Sequence, residues 1–141
     1  MAVTAKAFSV MPLSALKKLI NDLNAAGTVV KCALYTDAAA PTQEMANKTA
    51  LDAVCTEVSG TGYTAGGATL ANKAVTEATR VTKFDADDVE WTSSTLTAMY
   101  AVLYETENLL IWVDFSENKS SENGTFKIQW NASGIFTITV A

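Results

Sequence analysis

The sequence predicts a mainly β protein: an antiparallel β-sandwich or jelly roll with one N-terminal helix and an extended N-terminal arm. Three observations lead there. Six or seven short segments after residue 67 are rich in Val, Ile, Thr, Tyr, Phe and Trp, the side chains that suit a pleated, half-buried surface. Polar connectors of hairpin type separate them. Their spacing is too short for the crossover helices that a parallel sheet requires.

Residues 1–11 read as an extended arm with Val3, Phe8, Val10 and Met11 as apolar anchors. Met11-Pro12-Leu13-Ser14 opens the predicted helix. Leu13, Leu16, Leu19, Ile20 and Leu23 recur at three and four residues, opposite Lys17, Lys18, Asn21 and Asp22, the pattern of an amphipathic helix. Gly27 is expected to close it as a left-handed cap. Thr28 to Thr36 reads as a strand bounded by Asp37 and the Pro41 loop. Between Thr42 and Val58 the reading divides: Leu51, Val54, Cys55 and Val58 fit a short helix, yet Thr56 onward also suits an extended chain.

Strands are then expected at 68–71, 75–84, 89–92, 95–106, 109–115, 125–130 and 135–140. Phe126, Ile128 and Trp130 alternate with Thr125, Lys127 and Gln129, as half-buried strands do. Residues 105–108, 116–124 and 131–134 are the expected turns. With no repeat and no low-complexity linker, residues 12–141 form one expected domain behind the arm.

Composition limits the function classes. Of 141 residues, 49% are apolar and the net charge is −5, with Arg80 the single arginine. A chain of this length buries roughly 68% of its unfolded surface, so neither disulfide nor metal is needed to build a core. An acidic, arginine-poor surface has no footprint for nucleic acid, which is bound through clustered Lys and Arg. It does not suit an anionic membrane either. Histidine is absent, which rules out Ser-His-Asp and Cys-His nucleophiles and imidazole metal ligands. Cys32 and Cys55 sit among apolar neighbours and read as buried free thiols, though spacing also permits a bridge between them. Met1 to Met11 holds one lysine and no continuous apolar run, so no secretory signal is expected.

Four features invite a chemical reading. Gly60-Thr61-Gly62-Tyr63-Thr64-Ala65-Gly66-Gly67 has the glycine density of a phosphate loop. No Gly-Lys-Ser/Thr follows, however, and the third glycine of a dinucleotide fingerprint is missing. It is expected to be a backbone turn beside close strand packing, with Tyr63 as an apolar plug. Asp85-Ala86-Asp87-Asp88-Val89-Glu90 is the densest carboxylate cluster. It offers oxygen ligands for calcium but lacks the glycine and glutamate of an EF-hand loop, and a solvated turn is the alternative. Asp114-Phe115-Ser116 resembles a kinase tripeptide without the rest of a kinase, so Asp114 is expected to bond turn amides. Trp91, Trp112, Trp130, Tyr100 and Tyr104 could stack sugars, but their place in alternating strands points to core filling or subunit contact. No catalytic, cofactor-binding or metal-ligating residue is therefore assigned, and no enzyme activity is expected.

Taken in order, the segments resemble a known family. They run Val30-Lys31-Cys32-Ala33-Leu34-Tyr35-Thr36, Gly62 to Leu70, Asp85 to Trp91, Thr97 to Tyr104, Leu110 to Phe115, Gly124 to Trp130 and Gly134-Ile135-Phe136. Over residues 27–138 the chain is similar to small virion structural proteins of tailed bacteriophages. Two positions depart from the pattern, Met99 for an expected arginine and Ser116 for an expected glycine. The resemblance implies a non-enzymatic β-sandwich, foremost a capsid decoration (cement) protein. Its partners would be the major capsid protein and two further copies of itself, with no nucleic acid, membrane or cofactor. It would be made in the host bacterial cytoplasm and seated on the capsid exterior. A tail, neck or fibre-base subunit is the alternative, followed by a glycan-binding module.

Overall fold

A computed structural model describes residues 3–17 and 21–140. The chain is mainly β, as expected, and the described residues form eight strands in two antiparallel sheets and two short helices. The elements are β1 (Thr4–Ala7), α1 (Val10–Leu16), β2 (Lys31–Tyr35), α2 (Lys48–Val54), β3 (Ala68–Thr69), β4 (Ala74–Ala78), β5 (Val81–Asp85), β6 (Val89–Glu105), β7 (Asn108–Ile128) and β8 (Phe136–Thr139). The larger sheet has the order β1-β7-β6-β2-β3, and the smaller one β4-β5-β8.

The central strands are near-continuous apolar runs because both faces of the large sheet are covered. In β2, Cys32 and Leu34 enter one core while Ala33 and Tyr35 enter the other. In β6 and β7 the same alternation separates Ala101, Leu103, Ile111 and Val113 from Val102, Tyr104 and Trp112. The small sheet closes the first face through Phe84, with Phe136 against it at a ring separation of 5.2 Å. Phe8, Met45, Leu51 and Cys55 close the second.

Several expectations are corrected. The segment read as an extended arm is extended over Thr4–Ala7, but it is an edge strand of the large sheet: Thr4 pairs with Asp114 and Ala7 with Ile111. Phe8 is fully buried, its ring 4.8 Å from that of Trp112, so burial of one aromatic side chain ties the segment to its own domain.

The N-terminal helix tolerates Pro12 in its first turn, where the missing N–H costs nothing, but it does not reach Gly27. Residues 21 and 22 are irregular and 23–27 form turns and a bend instead. Asp22 accepts a hydrogen bond from the Asn24 amide at 2.9 Å, and the Asn24 side chain accepts one from Val75 N–H at 3.0 Å. Short polar side chains that bond backbone in this way compete with helix. Gly27 does not take a positive φ, so it is no left-handed cap. Leu19 and Ile20 lie outside the described residues. The divided reading at 42–58 resolves to α2, capped by Asn47 accepting from Ala50 N–H at 2.8 Å.

The predicted strand at 75–84 is a hairpin. Thr79 and Arg80 both take positive φ, 51° and 66°, between the paired Ala78 and Val81. Neither is the Asn or Gly that usually marks such a turn. The predicted turn at 116–124 is strand instead, and 89–92 and 95–106 are one strand, so β6 and β7 make a long ribbon. Its outer half is polar because water covers it; Thr97 and Ser120 face each other across it with hydroxyls 2.9 Å apart. Register shifts bend the ribbon near Ser94 and again between Ala98 and Tyr100, the places where extra residues increase twist. The hairpin at 105–108 is as expected, with Glu105 paired to Asn108.

Candidate functional site

The glycine stretch is a backbone device. Gly62, Gly66 and Gly67 take φ of 82°, 92° and 82°. A Cβ on Gly67 would stand 2.0 Å from the Cys32 carbonyl oxygen, so glycine is needed for the chain to pass β2. Tyr63 holds the bend by accepting from Leu34 N–H at 2.9 Å and donating to Glu57 Oε1 at 2.7 Å. Gly66 N–H donates to the same oxygen at 2.6 Å, and the Tyr104 hydroxyl donates to Gly66 C=O at 2.6 Å. Burial, reinforced by the bond to Glu57, pushes the Tyr63 phenol well up, and burial pushes Tyr104 up to about 12. Both phenols therefore stay protonated near neutral pH and act as hydrogen-bond donors, not as general bases.

The sequence reading missed a polar cluster beneath α2. Lys48 is buried, with its ammonium 2.8 and 2.6 Å from the two Asp52 carboxylate oxygens. It also lies 4.9 and 5.6 Å from the ring centroids of Tyr104 and Tyr35, and Tyr35 donates to Asp52 Oδ1 at 2.7 Å. The available signal was Lys and Asp at i and i+4 on a candidate helix. Lys48 N–H donates to Glu107 C=O at 3.0 Å, and Glu107 Oε2 accepts from the Thr49 hydroxyl at 2.9 Å. These groups dock α2 on the hairpin tip. A second buried group, Glu105, accepts from the side-chain amides of Asn21 and Asn108 at 2.7 and 2.9 Å.

Three of the four carboxylates of the acidic turn are engaged in holding loops together, while Glu90 is exposed. Asp85 lies 3.7 Å from the Lys83 ammonium, and Asp87 accepts from Asn72 at 2.6 Å. Asp88 accepts from Trp130 N–H at 2.9 Å and lies 3.3 Å from Lys127. The Trp130 N–H, aided by Lys127, holds the Asp88 carboxyl below the usual range. Among the described residues no group of three or more His, Cys, Asp or Glu is placed to hold a metal ion. Asp114 accepts from Ser116 N–H at 2.8 Å; both residues lie within β7, so the carboxylate bonds a strand amide at a positive-φ residue and not the turn amide expected.

Four of the five aromatic residues fill core: Trp91 belongs to one face of the large sheet, while Trp112, Tyr100 and Tyr104 belong to the other. Trp130 is partly buried against the first face, its indole N–H donating to Asp87 C=O at 3.0 Å, so the five do not form one stacking platform. Cys32 and Cys55 are buried free thiols, and burial pushes Cys32 up to about 12, a protonated and unreactive state at neutral pH.

The small sheet presents the clearest exposed surface. Its inner face carries Val75, Phe84, Phe136 and Ile138, with Val140 just beyond the end of β8 donating its N–H to Arg80 C=O at 2.9 Å, but only the Phe84 end reaches the core. Val75 is 38% exposed, Ile138 58% and Val140 64%. A groove of about 310 Å³ runs beside them, lined by Met11, Leu23, Val75, Phe84, Phe136 and Ile138 among others. No helix among the described residues is long and apolar enough to cross a membrane.

Compared with protein-family models, curated proteins and solved structures, the chain matches none.

Proposed function

We propose that the chain is a structural subunit of a tailed-bacteriophage virion, a capsid decoration protein that binds the outer shell and stabilises contacts between capsomers. The observation that carries this reading is the apolar end of the small sheet. Clustered exposed apolar side chains beside a groove mark an interaction surface, and here Val75 and Ile138 gather on one side of one sheet, with Val140 just beyond the end of β8. Ser116 adds support. It takes φ 68°, a conformation that suits glycine, at the position where the resemblance leads one to expect glycine. The polar groups that first suggest chemistry are engaged in hydrogen bonds within the fold, which accords with a building role.

Such a protein acts as a clamp. It binds the assembled, expanded shell and not the free capsid subunits, so occupancy shifts the equilibrium toward the shell by mass action. Partners are the major capsid protein and neighbouring copies of the chain, arranged as a trimer about local three-fold axes. The net charge of −5 suits the exterior of a particle filled with DNA.

The test compares capsids stripped of the protein, then reloaded with wild type or with the double variant Ile138→Asp, Val140→Asp. Both side chains are exposed, so the variant's own stability should stay within about 0.5 kcal/mol of wild type. Each loses on the order of 1.5 kcal/mol of apolar burial on docking, which is at least tenfold in affinity. Wild type should raise the temperature of DNA release and the variant should not. Equal release temperatures with and without the wild-type protein would refute the cement reading.

A further inference from the structure

We infer that Asn123 is a self-modifying site: its side chain cyclises onto the Gly124 nitrogen, and the ring reopens to aspartate or isoaspartate at the bend of the β6–β7 ribbon. Three observations converge on this residue. Asn123-Gly124 is the one Asn-Gly pair in the sequence, and glycine leaves the approach to its nitrogen unhindered. A Cβ at Gly124 would meet nothing nearer than Glu122 O at 3.6 Å. The Asn123 carboxamide is exposed and has no hydrogen-bond partner among the described residues.

The other seven asparagines all have a bound side chain. Asn21 and Asn108 donate to Glu105, Asn72 to Asp87 and Asn118 to Asp37. Asn24 accepts from Val75 N–H, Asn47 from Ala50 N–H and Asn131 from Ser133 N–H. Each of those bonds must break before the amide carbon can turn toward the next residue. At Asn123 none stands in the way, and asparagine is among the residues most prone to such slow chemistry.

The step balances. The Gly124 amide gives its proton to hydroxide, and its nitrogen attacks Asn123 Cγ. A C–N bond forms, the bond from Cγ to Nδ2 breaks, and ammonia leaves with a proton from water. Water then adds to the cyclic imide. Addition at Cγ gives aspartate, and addition at the main-chain carbonyl gives isoaspartate, with one water consumed and one ammonia released overall.

Position gives the change a consequence. Asn123 takes φ 49° and donates its N–H to Thr95 Oγ1 at 3.1 Å. Ser94, buried opposite, donates to Gly124 C=O at 3.2 Å. Isoaspartate inserts a methylene into the main chain here, so the register between Ser94 and Gly124 is lost and the outer ribbon loosens.

The experiment ages the folded full-length protein at pH 8 and follows each asparagine by peptide mass spectrometry, with isoaspartate detected by an isoaspartyl methyltransferase. Asn123 should convert several-fold faster than every other asparagine, with isoaspartate as a product. Gly124→Ala should slow it several-fold. Gly124 lacks a positive φ and has room for a methyl group, so this variant folds. Conversion of Asn123 in urea-unfolded chain but not in folded protein would overturn the inference, as would a rate unchanged by Gly124→Ala.

Discussion

Gly67→Ala is expected to destabilise the fold by about 3–5 kcal/mol, a large part of the total stability of a single domain. The methyl carbon would stand 2.0 Å from the Cys32 carbonyl oxygen and 2.6 Å from Ala33 Cα. Those atoms belong to β2, which is hydrogen-bonded to β6 on one side and β3 on the other, so they cannot retreat without breaking a ladder. The φ of 82° adds strain for any side chain. Gly27→Ala is the control: nothing lies within 4 Å of its Cβ position, and the change should be neutral or stabilise by up to about 1 kcal/mol. Urea unfolding followed by tryptophan fluorescence reads both. Near-equal midpoints for the two variants would show that the glycine stretch is a loose loop and not a close approach.

Phe84→Ala is expected to cost about 3–5 kcal/mol by the cavity it leaves and to release the small sheet. Phe84 is 2% exposed and is the one residue of that sheet in the buried core. Without it, β4, β5 and β8 keep Phe136, partly buried, as their main apolar hold. Hydrogen exchange at the amides of β8 should accelerate more than at β2, and capsid occupancy should fall, because the small sheet carries Ile138 and Val140. Thr76→Ala, on the exposed face of the same sheet, should change stability by less than about 0.5 kcal/mol. Uniform loss of protection across both sheets would indicate that Phe84 serves the global core alone.

The class of fold was legible because β-forming residues dominate the chain after residue 67, and alternation fixed which side chains of β7 face inward. What stayed hidden followed from tertiary context. The Thr79-Arg80 hairpin carries no Gly or Asn, so its turn is imposed by the pairing of β4 with β5 and not by local preference. Ser116 to Gly124 reads as a loop because its residues are polar, yet pairing with β6 makes it strand. The helix stops short of Gly27 because Asp22 and Asn24 bond backbone, a competition that apolar periodicity does not register. In the glycine stretch the spacing identified a turn, and Tyr63 was placed as an apolar plug; its two hydrogen bonds to Leu34 and Glu57 depend on partners brought close by the fold. The exposed end of the small sheet was not legible, since Ile138 and Val140 alternate in the same way as buried strand residues.

The reading of this chain as a capsid decoration protein is tested most directly by its location on an intact particle. Cryo-electron microscopy of the virion is expected to show the two-sheet fold on the outer shell at local three-fold axes, with Ile138 and Val140 of each copy against a capsid subunit or a neighbouring copy. Density for the fold in the tail or neck alone, or an outer shell without it, would contradict the account.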